Sequence, residues 1–242
     1  MEAALSDAVV WHDIECGGYD ADLALWRELA ASAGGAVLEI GAGTGRVTLD
    51  LARRKHPVTA LDCDRELLAA LARRAANLPV DTVIADARKF ALGSRFGVCL
   101  VPMQTIQLLG GHEGRARFLA CVHRHLDPGA LLAAALAAPL PEYDRSLPPP
   151  LPDLRERDGW VYSSQPVAVR REGDATVIER VRETVSPEGR RATGTDVIAL
   201  DAVSPAQLEQ EGVAAGFERL PRRRIAPTPE HVGSDVVVMR AA

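Results

Sequence analysis

Val37-Leu-Glu-Ile-Gly-Ala-Gly-Thr-Gly-Arg46 is the stretch on which the reading of this chain turns. Four residues rich in branched and apolar side chains run into glycines at alternate positions, Gly41, Gly43 and Gly45. A periodic segment with Val47 and Leu51 four apart follows at once. This order predicts a buried strand, a tight turn and a helix. Glycine suits such a turn because the backbone takes positive φ there and a ligand approaches where a Cβ would stand. The free N–H groups at the start of the following helix then face whatever lies on the turn. A dinucleotide fold places its glycines as Gly-x-Gly-x-x-Gly, whereas here the third arrives one residue early.

The arrangement Glu39-x-Gly41-x-Gly43-x-Gly45 resembles the first motif of class I S-adenosylmethionine-dependent methyltransferases. The resemblance implies S-adenosylmethionine as cofactor, with Glu39, Gly41, Ala42, Gly43, Gly45 and Arg46 among its contacts. The following segments keep the family's order. Val58 to Asp62 reads as a second buried strand ending in an acid, seventeen residues after Gly45, where the family places the carboxylate that accepts both ribose hydroxyls. The carboxyl end of a strand is also where open α/β sheets bind ligands. Asp64 reads instead as the cap of a helix from Arg65 to Ala76. Cys63 and Leu67 fall among the implied cofactor contacts, with core packing the first reading of Leu67 and the adenine contact the second. A third strand, Asp81 to Ala85, leads into Asp86 and Ala87, which the resemblance assigns to the adenine edge.

A fourth strand, Phe96 to Val101, opens into Pro102-Met103-Gln104-Thr105-Ile106-Gln107. In the family this position lies beneath the transferred methyl group, which makes Pro102 and Met103 cofactor contacts and Gln104 a candidate for the acceptor. Gln107 shares that candidacy, and a capped loop with Met103 in the core is the alternative. The segment has no Asn/Asp-Pro-Pro-Tyr sequence, no Pro-Cys pair and no aspartate. These absences argue against methylation of base amines, attack on cytosine carbon, and the magnesium site of catechol-type enzymes. His112 follows in the next loop, either as a general base suited to neutral pH or as a solvated loop residue. His123 and His125 are two apart on a helix, so they point to different faces and make no metal pair.

Upstream, residues from about Ala8 to Ala33 carry a helical pattern with Trp11, Tyr19 and Trp26. The resemblance implies a helical lid here, with Tyr19 lent to the methionine carboxylate of the cofactor. Ordinary half-buried packing is the other reading of Tyr19. Downstream, Ala130 to Leu136 reads as strand five, and six prolines between Pro139 and Pro152 exclude helix and central strand. From Trp160 to Leu200, three β-branched runs separated by turn residues predict a three-stranded antiparallel cap. Ser204-Pro205 begins a further helix, and a strand from Gly233 to Met239 follows.

The expectation is therefore a doubly wound α/β fold with a mostly parallel seven-stranded sheet and a small antiparallel β cap inserted in it. Its domains would be 1–138 (helical lid and first part of the core), 139–201 (proline-rich linker and cap) and 202–242 (completion of the core). The cap is similar to that of bacterial small-molecule N-methyltransferases.

Composition narrows the function. The 242 residues are 47% hydrophobic and carry a net charge of −5, a globular balance without the basic footprint of nucleic-acid binding. Arg222-Arg-Arg224 reads as a solvated turn. The cysteines Cys16, Cys63, Cys99 and Cys121 lack zinc or Cys-x-x-Cys spacing, which suits reduced thiols and no metal. Acids at the N-terminus replace the positive charge of a signal peptide, and the longest apolar run is too short to span a bilayer, so the expected location is cytoplasmic, away from membranes. The expected partner is a small molecule, with a monomer or homodimer as the assembly. The expected activity is methyl transfer to a small-molecule acceptor, an amine before a hydroxyl, with Gln104 and His112 as catalytic candidates. The alternative is an enzyme that consumes S-adenosylmethionine by intramolecular cyclisation or aminobutyryl transfer, releasing methylthioadenosine.

Overall fold

The computed structural model describes residues 7–229 and 231–242, so the acidic opening of the sequence lies outside the described residues. Helices α1 (Asp7–Glu15) and α2 (Leu23–Ser32) precede β1 (Val37–Ile40), α3 (Arg46–Arg53), β2 (Val58–Asp62), α4 (Arg65–Arg74) and β3 (Val80–Ile84). Then come β4 (Phe96–Val101), a 3₁₀ turn (Thr105–Leu108), α5 (Gly111–His125) and β5 (Leu126–Ala137). Four strands, β6 (Asp153–Arg157), β7 (Trp160–Glu172), β8 (Ala175–Val185) and β9 (Arg191–Asp201), are followed by α6 (Pro205–Ala214), β10 (Phe217–Arg219), β11 (Arg223–Ile225) and β12 (Ser234–Ala241).

The chain divides into two compact units. The larger, Tyr19–Ala138 with Val203–Ala242, holds a sheet whose strands run in the order β10-β12-β5-β4-β1-β2-β3, the expected seven. β11 adds a short eighth by pairing with β12, within the arginine-rich segment read as a solvated turn. Pairs among β1 to β5 are parallel and β12 runs antiparallel to β5. β1 and β4 are buried along their whole length, as strands covered on both faces must be, and accordingly read as continuous apolar runs. Alternate residues feed two cores. Leu38, Val101 and Val237 pack with Phe118 and Leu119 of α5, while Val37, Leu100 and Val236 pack with Trp26 of α2 and Leu51 of α3. Trp26 and Phe118 are fully buried, each side chain of this kind contributing about 1.5–3 kcal/mol.

The smaller unit comprises Met1–Gly18, described from residue 7, and Pro139–Ala202. Its antiparallel sheet runs β6-β7-β8-β9, one strand more than expected, because β6 forms directly behind the prolines. Helix α1 belongs with this sheet rather than with the α/β core, which corrects the grouping of residues 1–138. Its Glu15 accepts two hydrogen bonds from the Arg182 guanidinium, at 2.7 and 2.9 Å, and one from the Ser164 hydroxyl at 2.7 Å. Trp11 meets the Tyr162 ring edge-on at 5.8 Å. These partners hold α1 to β7 and β8.

Candidate active site

The strand order reverses between β1 and β4, since the chain builds outward from β1 to β3 on one side and from β4 to β5 on the other. In open α/β sheets the crevice at the carboxyl ends of such a pair is where ligands bind. The glycine turn after β1 stands on one side of it and Pro102-Met103-Gln104, after β4, on the other.

All three glycines of the turn take positive φ: +71° at Gly41, +53° at Gly43 and +96° at Gly45. A Cβ at Gly41 would stand 2.5 Å from the Thr105 hydroxyl, and one at Gly45 would stand 2.2 Å from Leu71 Cδ1. Gly41 and Gly45 are thus closed to a Cβ on steric grounds as well as by their backbone. Asp62, at the carboxyl end of β2, fixes the loop by accepting the Gly43 amide on one oxygen (2.8 Å) and the Asp64 amide on the other (2.9 Å). Asp64 caps α4 by accepting the Glu66 and Leu67 amides, the role its sequence position suggests. Cys63 is exposed and Leu67 half-buried beside them.

Glu39 lies beneath the turn, 2% exposed, with the Thr48 hydroxyl donating to it. Burial pushes its carboxyl up to about 8, against the Thr48 hydrogen bond and the nearby Arg46, both of which favour the anion. Arg46 in turn donates to both oxygens of Asp22, at 2.5 and 2.8 Å, and to the Tyr19 carbonyl at 2.8 Å. Asp22 also accepts from the Trp26 indole at 2.7 Å and is fully buried. The Arg46 guanidinium lies 5.2 Å from the Tyr19 ring centroid, and the His231 ring packs on the other contact of Tyr19 at 4.8 Å. Sequence reasoning missed Asp22 and His231. Asp22 sits in an acidic helix start of ordinary appearance, and no spacing rule connects it with an arginine two elements later.

On the opposite side, Met103 holds φ +55°, a conformation that non-glycine residues adopt at a cost and that clusters at functional turns. Pro102 is buried and Gln104 half-buried. Among the described residues, the Gln104 side chain has no hydrogen-bond partner. Gln107 is a structural group, in contrast to the role open to it in the sequence: 8% exposed, its amide oxygen accepts the Ala137 N–H at 2.9 Å. Asp86, at the exposed end of β3 with Ala87 beside it, accepts from the Arg88 amide and guanidinium, which hold its carboxyl down to about 2. His112 does not join the group. Its ring is 76% exposed and its Nδ1 lies 2.9 Å from Glu211 on α6, a carboxylate that also takes two hydrogen bonds from Arg115.

A family profile described as a methyltransferase domain matches residues 37–129, the span from β1 through the start of β5. That stretch resembles a methyltransferase domain. The cypemycin N-terminal methyltransferase of a Streptomyces species is 32% identical over 96 residues, 40% of this chain and 39% of that protein, so the likeness spans well under half of the curated relative. Two solved structures extend over nearly the whole chain. The sugar N-methyltransferase KedS8 of Streptoalloteichus has a TM-score of 0.77 at 20% identity, covering 100% of this chain and 95% of that one. The glycopeptide N-methyltransferase MtfA in complex with S-adenosylmethionine has a TM-score of 0.62 at 25% identity, covering 91% and 87%. The α/β unit thus has a Rossmann-like fold, and the likeness covers the residues of the antiparallel sheet as well.

The residues present fit S-adenosylmethionine, the group that such a domain implies. The three glycines hold positive φ, each Asp62 oxygen accepts one backbone amide and keeps a second lone pair, and Arg46 lies beside the Tyr19 ring.

Proposed function

We propose that the protein is an S-adenosylmethionine-dependent methyltransferase that acts on an amine of a small-molecule acceptor. The observation that carries the reading is the junction of Asp62 with the glycine turn beside the sheet's switch point, where the carboxylate at the end of β2 braces the loop through the Gly43 amide. Support for an amine comes from the relatives, named as N-methyltransferases of a peptide terminus, a sugar and a glycopeptide.

When bound, the cofactor supplies a methyl group already activated on a sulfonium. The chain's own work is to hold two molecules and exclude water. In this reading Asp62 accepts the ribose hydroxyls, Asp86 and the Ala87 amide face the adenine edge, and Arg46 with Tyr19 receives the carboxylate. Asp22 keeps the Arg46 guanidinium from swinging away. Gln104 orients the acceptor at the turn that Met103 shapes. Such positioning supplies about 7–11 kcal/mol of a barrier of this kind. An amine acceptor needs only to lose its proton, and His112, engaged with Glu211 at the surface, is left out of that step.

The test is calorimetric titration of S-adenosylmethionine into wild type and Asp62→Ala. A loss of affinity of about tenfold or more, roughly 1.4 kcal/mol, is expected. Equal affinity in a folded variant overturns the ribose assignment. Incubation with S-adenosylmethionine and an amine library should release adenosylhomocysteine; release of methylthioadenosine would overturn methyl transfer.

A further inference from the structure

The smaller unit contains a cleft of about 520 Å³, within the range of small-molecule sites, lined wholly by residues of α1, β7, β8 and β9. Its construction follows from register. Tyr162, Thr184 and Ala192 lie opposite one another across three strands, and so do Ser164, Arg182 and Gly194. These six therefore share one face of the sheet. Helix α1 lies on that face with Asp7, Trp11 and Glu15 in one stripe, each four residues from the next. Glu15 fills the row of Ser164 and Arg182. Beyond it, Ala192 and Gly194 are too small to fill the space between the helix and the edge strand, and the cleft is what remains.

Its walls are aromatic and carry one cation, Arg182, and one anion, Asp7. Trp11 meets Tyr162 edge-on at 5.8 Å, and Trp160 lies nearly parallel to Tyr162, 28° off, at 6.5 Å. Trp160 is nevertheless 39% exposed, so the ring is not spent on sealing a core. The cation of the cleft, Arg182, is already matched by both oxygens of Glu15 and by Asp196 at 3.0 Å. Asp7 has no ion-pair partner among the described residues. The face of Trp11 is taken by the Arg182 guanidinium, 5.3 Å from the ring centroid, so the Asp7 carboxylate and the Trp160 and Tyr162 rings are what remain for a ligand.

We infer that this cleft binds an organic ammonium group carried on a small apolar body. Electron-rich faces attract a cation that is weakly hydrated, and a nearby carboxylate adds to that attraction while opposing any anion. A neutral ligand of the same shape gains the ring contacts alone. The site does not depend on methyl transfer and is tested without the cofactor.

The experiment is ligand-observed NMR on the full chain. Saturation transferred from the protein to the N-methyl protons of choline is titrated, alongside 3,3-dimethylbutan-1-ol, its uncharged carbon isostere. Choline is expected to bind saturably and at least about fivefold more tightly than the isostere, and Trp160→Ala and Asp7→Asn are each expected to weaken it by at least about fivefold. Both positions are exposed, and unchanged circular dichroism certifies the fold of each variant. Equal binding of the isostere, unchanged choline affinity in both variants, or no saturable choline signal overturns the assignment.

Discussion

Glu39 is a carboxyl group in a place that disfavours its charge. It occupies the middle of β1, fully enclosed, and burial raises its proton affinity to a pKa of about 8 from the ordinary carboxylate value near 4.5. The sign of the consequence is fixed. Between those two values the folded protein keeps the proton and the unfolded chain has lost it, so this residue makes stability fall as pH rises from about 5 to about 8. Each unit of separation corresponds to about 1.4 kcal/mol. Glu39→Gln removes the titration. In urea denaturation of the cofactor-free protein, the variant should gain on wild type steadily across that interval; a difference that does not change with pH would show that Glu39 ionises freely in the folded state. The residue was legible in the sequence as an acid two positions before Gly41, but its environment was not. Enclosure by Thr48 and the surrounding core depends on packing between elements that no local pattern encodes.

Elements were legible wherever local chemistry and tertiary demand agree. The helix opening at Ser204-Pro205 is such a case: Ser204 accepts the Gln207 amide and the Gln207 side chain accepts the Ser204 amide, a complete capping box with proline in the first turn. Ser204→Ala should cost about 1 kcal/mol, a drop of roughly 2–4 °C in the melting temperature followed by circular dichroism. No change in melting would mean that water satisfies that helix end equally well. β1, β2 and β4 agree closely with expectation because strands buried on both faces leave an unbroken apolar signature. β6 and β11 were illegible for the opposite reason. Asp-Leu-Arg-Glu-Arg and Arg-Arg-Ile carry charge, stand beside prolines, and are strands only because a neighbour pairs with them. In the site, the glycine turn and Asp62 followed from spacing. Asp22, His231 and the fixed role of Gln107 did not, since each depends on a partner contributed by a distant element.

At the scale of the whole molecule, the smaller unit is assembled from two segments that the α/β unit separates in sequence, and Glu15 is a principal tie between them. Burial alone would raise the Glu15 pKa, but the Arg182 guanidinium, the Ser164 hydroxyl and Arg180 outweigh it and hold the carboxyl below its ordinary value. Its contribution is therefore present above about pH 4.5 and is lost as pH falls through the lower folded value. Glu15→Ala removes three hydrogen bonds to one carboxylate and leaves Arg182 with Asp196 and the Trp11 ring; the expected cost at neutral pH is about 2 kcal/mol. Trp11 and Trp160 report this unit in fluorescence-monitored unfolding. The variant should unfold earlier at pH 7 and converge with wild type in acid, whereas a deficit equal at both pH values would assign the loss to packing.

The position of β12 sets the timetable of synthesis. β5 pairs with β4 on one side and with β12 on the other, yet the ribosome makes Pro139–Ala202, α6, β10 and β11 before β12 exists. Until then the Leu131–Ala137 edge of β5 is an open row of amides and carbonyls on an apolar strand, the kind of edge that recruits other chains. Over the same interval β6 to β9 are complete, pairing with one another and, at Val169, with Tyr143. A nascent chain of this protein thus carries a finished insert on an unfinished core, and the protection of one strand edge during translation is a requirement of its topology.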